Sequence, residues 1–159
     1  MITIQNATLT DATDLANILI DGWTSAFCGI LPNDIIHKYT QLNACIDMFH
    51  HILSSNEGTM YLAKFNGKSV GLLYLVNKDN HANIEGFFTH SIHRSCGIGT
   101  ALMQKALADT YSLGITTVSV WPFVQNTRGR HFYEKWGFAP TGNSRINDVL
   151  EIEYARTLL

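Results

Sequence analysis

The 159-residue chain carries 11 basic and 13 acidic residues, a net charge of −2, and is 46% hydrophobic and 15% charged. That suits one globular domain over 1–159 that buries roughly 70% of its unfolded surface with no disulfide or metal needed; it leaves no basic footprint for nucleic acid and no apolar run near the ~18 residues of a membrane span. Three cysteines without paired spacing fit reduced thiols, and the opening Met1-Ile2-Thr3-Ile4 has no basic region, apolar signal or cleavage site, so a cytoplasmic protein is expected.

Residues 2–8 have the pattern of a short strand. Thr10 and Asp11 then offer N-caps, with Asp14 in the first turn, where the helix dipole favours an anion. Ala12, Leu15, Ile18, Leu19, Gly22, Trp23 and Ala26 recur at helical spacing and predict a first amphipathic helix. Pro32 suits the start of a second, continued by Ile35, Ile36, Tyr39 and Leu42, and a third helical stretch follows over 43–53.

From Thr59 the period changes to that of strands. Met60 to Phe65, a turn at Asn66-Gly67, and Val70 to Val76 predict a β-hairpin, because Asn-Gly tolerates the positive φ such turns need. The polar turn 77–80 leads to a strand over 83–89. A helix over 97–112 buries Ile98, Leu102, Ala106 and Leu107, with Gly114 as its C-cap. The β-branched run 115–121 is a further strand, and strand–helix–strand implies a right-handed parallel crossover. A short helix over 126–136 stops at Gly137, and strands over 138–142 and 148–157 finish the chain. The expected class is α/β, or α+β mixed, with one mixed sheet of six or seven strands and helices on both faces.

The most informative segment is Arg94-Ser95-Cys96-Gly97-Ile98-Gly99-Thr100, between a predicted strand and a predicted helix. A helix start leaves unpaired N–H groups and a positive dipole end, both suited to phosphate. Glycines at 97 and 99 clear side chains from that approach and allow the backbone angles of an anion-binding nest, while Arg94 offers a charge-assisted contact. A glycine pair before a helix also fits a plain tight turn. A Walker A loop would need Lys-Ser/Thr where Thr100-Ala101 stands, and a dinucleotide fingerprint a third glycine where Leu102 stands. His90-x-x-His93-x-x-Cys96 lacks a second Cys/His pair for zinc, so no metal is expected. Cys96 at a helix start has the placing of a lowered-pKa thiol, or simply of a small side chain beside the phosphates.

The stretch Ile84 to Gly99 resembles the acetyl-CoA motif of GNAT acetyltransferases, in which a strand enters an Arg/Gln-x-x-Gly-x-Gly/Ala loop that opens a long helix. Asn126-Thr127-Arg128-Gly129-Arg130-His131-Phe132-Tyr133-Glu134-Lys135-Trp136-Gly137-Phe138 resembles the family's second motif. Gly22-Trp23 to Gly29-Ile30-Leu31-Pro32 is similar to a stretch common in small-molecule members, so the likeness covers nearly the whole chain.

The resemblance implies splayed central parallel strands with the pantetheine arm in the gap. It assigns Phe87, Phe88 and Thr89 to that arm, Arg94, Ser95, Cys96, Gly97, Ile98, Gly99 and Thr100 to the pyrophosphate, and Asn126 and Tyr133 to the coenzyme. Tyr133 is then the general-acid candidate beside the sulfur, and the Thr89 amide a polarising donor for the carbonyl. Many relatives carry a Glu where this chain has Asn83. Glu85, two residues on and on the same face by strand alternation, is the base candidate, acting through water, with His90 and His131 as weaker ones. The implied function is transfer of an acetyl group from acetyl-CoA to a primary amine of a small molecule or peptide. The alternatives are a protein N-terminal or lysine acetyltransferase and a non-catalytic acyl-CoA sensor. A homodimer is common among relatives, and a membrane partner is not expected. Asp34 and Asp47 are carboxylates available to a cationic amine; Trp23, Trp121 and Trp136 belong to its pocket or to the core.

Overall fold

The computed structural model describes all 159 residues. Seven strands form one mixed sheet: β1 (Ile2–Asn6), β2 (Gly58–Phe65), β3 (Lys68–Lys78), β4 (His81–Thr89), β5 (Thr117–Val120), β6 (Ala139–Asn147) and β7 (Val149–Thr157), in the spatial order β1-β2-β3-β4-β5-β7-β6. Every neighbouring pair is antiparallel except the central β4–β5 pair. The helices are α1 (Ala12–Phe27), α2 (Asn33–Tyr39), α3 (Leu42–Ser55), α4 (Ile98–Ser112) and α5 (Thr127–Lys135). No helix is long and apolar enough to cross a membrane.

The two faces of the sheet bury separate cores. On one, Leu15, Ile18, Leu19 and Trp23 of α1 and Phe49 of α3 pack over Leu62 and Leu72. On the other, Ile98, Leu102, Met103 and Ala106 of α4 pack over Leu73, Leu75 and Val118. Neighbours 72 and 73 belong to opposite cores because successive strand side chains point to opposite faces. The predicted apolar face of α4 is the buried one throughout.

Local chemistry sets the connections. Asn66 (φ 50°) and Gly67 (φ 82°) both occupy the left-handed region, as a two-residue hairpin loop requires. Asp11 stands at the N-cap of α1, as expected. A 3-10 turn over Leu9–Asp11 precedes the helix with Thr8, not Thr10, at its start, and Asp11 returns its carboxylate to the Thr8 N–H at 2.8 Å. The last hairpin is longer than its sequence suggests. Gly142-Asn143-Ser144 has the composition of a turn, yet it lies inside β6 at a register irregularity between Pro140 and Ser144, with Gly142 at φ 94°.

The irregularity that matters most for the site is in β4. Leu75 pairs with Ile84 and Tyr74 with Gly86, so Glu85 is an extra residue with no partner on β3. Such a bulge bends its strand and reverses the alternation beyond it. Ile84 and Phe87 accordingly pack on the α4 face, whereas Phe88 turns to the α1 face. The β4–β5 ladder runs only from His81↔Thr117 to Ile84↔Val120 and ends at the bulge. Past it the two central strands diverge.

Gly22 of α1 is where the helix meets the diverging strand: a Cβ there would lie 2.6 Å from Cδ1 of Phe88. Gly22→Ala is expected to lower stability by about 1–2 kcal/mol in urea denaturation, since overpacking costs typically 1–3 kcal/mol and the gain in helix propensity returns only ~1 kcal/mol.

Candidate active site

Two clefts open from the divergence of β4 and β5. The larger, about 820 Å³, runs along the outer half of β4 to the start of α4 and along α5. The second, about 610 Å³, lies on the α1 and α3 face of the sheet. They share Phe27, Phe87, Phe88, Asn126 and Tyr133, so these residues form the junction.

The strand supplies the first polar edge. The His90 amide donates to the Val70 carbonyl at 2.8 Å. Antiparallel alternation then turns the backbone of Phe88 to β3 as well, and the N–H and C=O groups of Phe87 and Thr89 the other way, into the gap. Of the three strand residues singled out in the sequence, Phe87 and Thr89 therefore offer free backbone groups. Phe88 contributes its ring, against Gly22.

The loop after β4 supplies the second. Ser95 (φ 63°) and Gly97 (φ 85°) are left-handed, and Gly97 caps α4 while its carbonyl accepts the Ala101 N–H at 3.0 Å. The first-turn amides of Ile98, Gly99 and Thr100 have no acceptor within the helix and carry the positive end of its dipole. All three residues line the larger cleft with Arg94, Ser95 and Gly97. Gly99 is helical, and a Cβ there would meet Phe132 at 3.5 Å and Phe87 at 3.7 Å, ordinary contacts; it is Gly97 that the backbone requires. Cys96 is exposed and faces the Arg94 carbonyl, outside the cleft lining. Arg94 donates to the Ser25 hydroxyl. Burial, then the charge of Arg128, lowers its guanidinium pKa. Arg128, inside the second motif but not singled out there, thus adds a second cation to the cradle. Its signal in the sequence was only its place one turn before Phe132.

Helix α5 fixes the junction. Asn126 is its N-cap, accepting the Gly129 N–H at 3.0 Å. Buried Tyr154 of β7 receives a hydrogen bond from Arg130 at 3.0 Å and donates to Glu134 at 3.1 Å, while Arg130 also holds the Val124 carbonyl at 2.9 Å. This clamp sets the rotation of α5, and Tyr133, 8% exposed, points to the place where the clefts meet. Burial pushes its phenol pKa well above the usual 10, so the hydroxyl is a proton donor at any physiological pH.

Glu85 lines the second cleft but not the first. Asn83 donates to its carboxylate at 2.8 Å and accepts from Ser119 at 2.8 Å; Ser119 in turn meets His81 at 2.7 Å. The two face-sharing residues of β4 are thus in direct contact. The weaker base candidates stand elsewhere: His131 lines only the larger cleft, and His90 faces Asp21 at 3.7 Å, outside both. His93 joins the larger cleft, and its ring lies 6.0 Å from that of His90. No three His, Cys, Asp or Glu side chains converge in a ligand set.

The second cleft is walled by Trp23, Tyr39, Tyr74, Trp121 and Phe123. Trp23 and Trp121 belong to it, whereas Trp136 packs on the α4-side core. Neither Asp34 nor Asp47 reaches it; its carboxylates are Glu57, Glu85 and Glu151. Glu57 and Tyr74 were illegible as site residues because they come from the bend before β2 and from β3, outside either motif. Beside Tyr39, Asp148 at the turn between β6 and β7 accepts from Lys38 at 2.6 Å and from the Tyr39 hydroxyl, tying α2 to that turn.

Residues 18–138 match the model of the acetyltransferase (GNAT) family. The chain belongs to that family. An uncharacterised N-acetyltransferase of Methanocaldococcus jannaschii is 30% identical over 97 residues, 57% of this chain and 43% of that protein, so the chain spans less than half the length of this curated relative. PaiA N-acetyltransferase from Thermoplasma acidophilum, solved in complex with coenzyme A, superposes with a TM-score of 0.89 at 17% identity, covering 99% of both chains. The ribosomal-protein-S18-alanine N-acetyltransferase of Escherichia coli superposes at 0.69 with 17% identity, covering 99% of this chain and 94% of that one. At those identities the likeness is one of fold, and it extends to the mixed sheet that opens between β4 and β5.

Gly129 shows how closely this GNAT chain packs the junction: a Cβ there would stand 2.4 Å from the Asn126 amide nitrogen. Gly129→Ala is expected to displace that amide and remove the cap bond, costing about 1 kcal/mol of stability. The same change should weaken coenzyme binding measurably by calorimetry, with the fold intact by circular dichroism.

Proposed function

We propose that this chain is an N-acetyltransferase that uses acetyl-CoA and transfers its acetyl group directly to a primary amine. The observation that carries this reading is the junction of the two clefts at Tyr133. One cleft has the free β4 edge and an α4 N-terminus flanked by two arginines; the other is aromatic and acidic. A long phosphorylated thioester suits the first: Phe87 and Thr89 would bond its pantetheine amides, and Arg94 to Thr100, with Arg128, its pyrophosphate. Asn126 stands at the same junction.

The chain's residues then have separate tasks. Glu85, directly or through one water, takes a proton from the amine as its nitrogen lone pair forms the C–N bond. The Thr89 amide, aimed into the gap, stabilises the negative charge that develops on the carbonyl oxygen. The C–S bond breaks, its electron pair leaves with sulfur, and the Tyr133 hydroxyl donates its proton or a hydrogen bond to that thiolate. Much of the acceleration comes from holding amine and thioester in line.

A small acceptor is favoured because the second cleft, about 610 Å³ and lined by Trp23, Tyr39 and Trp121, has the size and aromatic lining of a small-molecule site.

Calorimetry should register acetyl-CoA binding in the micromolar range, and Gly97→Glu should abolish it, because a side chain at φ 85° strains the loop and adds a carboxylate at the α4 N-terminus. No binding by folded wild-type protein would sink the proposal. In a thiol-release assay Tyr133→Phe is expected to lower kcat roughly 100-fold, within the usual range for an acid–base group, while coenzyme affinity stays within about twofold. Unchanged kcat would remove Tyr133 as the acid, whereas coenzyme binding by the wild type with no thiol release for any amine would favour a non-catalytic sensor.

A further inference from the structure

The second cleft has a charge balance that the transfer chemistry does not require. Its walls are flat and apolar: Trp23 stacks on Tyr39 at 4.8 Å and meets Phe123 edge-on at 5.4 Å, with Trp121 also on the lining. Arg145 is the only cationic side chain on that lining. It is already engaged, donating to Glu151 at 3.0 Å and lying 4.3 Å over the Trp121 ring. Glu57 and Glu85 have no cationic partner among the ion pairs of the protein. Both stand near Tyr74, whose phenol is held above its ordinary pKa by burial, then by the charges of Glu57 and Glu85.

A ligand entering this cleft therefore meets aromatic walls, two uncompensated carboxylates and no free cation. An ammonium on an apolar body satisfies all three, since aromatic faces and carboxylates both favour a cation. A ligand carboxylate would be desolvated beside like charges with nothing to pair it, which is how a site rejects a wrong partner.

Resting on the acyl-transfer reading above, we infer that the acceptor is a primary amine on an aromatic, apolar body that carries no carboxylate. Glu57 and Glu85, both exposed to solvent, disfavour free amino acids as acceptors. The amine enters as its ammonium, held by the two carboxylates. Glu85 takes one proton and passes it through water to solvent, which frees the lone pair. Glu85 takes the second as the C–N bond forms, while the departing thiolate receives the Tyr133 proton.

The test uses 2-phenylethylamine and L-phenylalanine, which share ring and spacing and differ by one carboxylate. At saturating acetyl-CoA, kcat/KM should favour the amine about tenfold, the scale of two solvent-exposed charge contacts. Glu57→Gln should narrow that ratio about threefold, mainly through the KM of the amine. Tryptophan emission gives a readout free of turnover, because Trp23 and Trp121 line the cleft: the amine should perturb it at millimolar concentration or below, and phenylalanine should not. Equal or better use of phenylalanine would overturn the inference. So would an amine that is neither acetylated nor able to perturb emission while acetyl-CoA binds normally. If acetyl-CoA itself fails to bind, the acyl-transfer reading fails, and the emission titration with amine alone still decides whether the cleft has this selectivity.

Discussion

Everything distinctive about this molecule depends on one extra residue in a central strand. Glu85 has no partner on β3, and at that point β4 stops pairing with β5. A continuous ladder would have consumed the β4 backbone groups and closed the sheet. The bulge instead leaves the amides and carbonyls of Phe87 and Thr89 directed into a gap, where they need a hydrogen-bonding partner from outside the sheet. It also flips the alternation, so Phe87 faces α4 and Phe88 faces α1, and each ring helps wall a different cleft.

The surrounding structure holds that gap open. Gly22 brings α1 against the Phe88 ring, and Asp21 ties the same helix to the segment after β4, accepting the Ser91 N–H at 2.7 Å and its hydroxyl at 2.9 Å. On the other side the Arg130–Tyr154–Glu134 clamp fixes α5 against β7 and so aims Tyr133. Neither tie involves an expected reacting group, yet both determine where those groups stand. The same division explains the charge: cations gather at the start of α4, carboxylates in the second cleft, with Tyr133 at the boundary.

Much of this was legible in the sequence, and the limits have physical reasons. The helices and the first hairpin follow from periodicity and from Asn66-Gly67, because local backbone preference and burial agree there. The family was legible from the two motifs, which hold the cradle and α5. The bulge was not, since Asn83-Ile84-Glu85-Gly86-Phe87 alternates as an ordinary strand would; only pairing with β3 reveals the extra residue. The full length of β6 was hidden by Gly142-Asn143-Ser144, turn formers that the longer hairpin tolerates at an exposed irregularity. The acceptor side was least legible. Tyr74, Arg145 and Glu151 come from three separate strands and Glu57 from the bend before β2, and no spacing along the chain announces that they meet.

The central claim is that the unpaired edge of β4 beyond Glu85 is the coenzyme's binding edge. Amide-resolved NMR during an acetyl-CoA titration tests it most directly. The largest shifts are predicted at Phe87, Thr89 and residues 97–100, with the Phe88 amide, bonded to β3, changing little. Saturable binding that leaves Phe87 and Thr89 unmoved and perturbs amides elsewhere would contradict it.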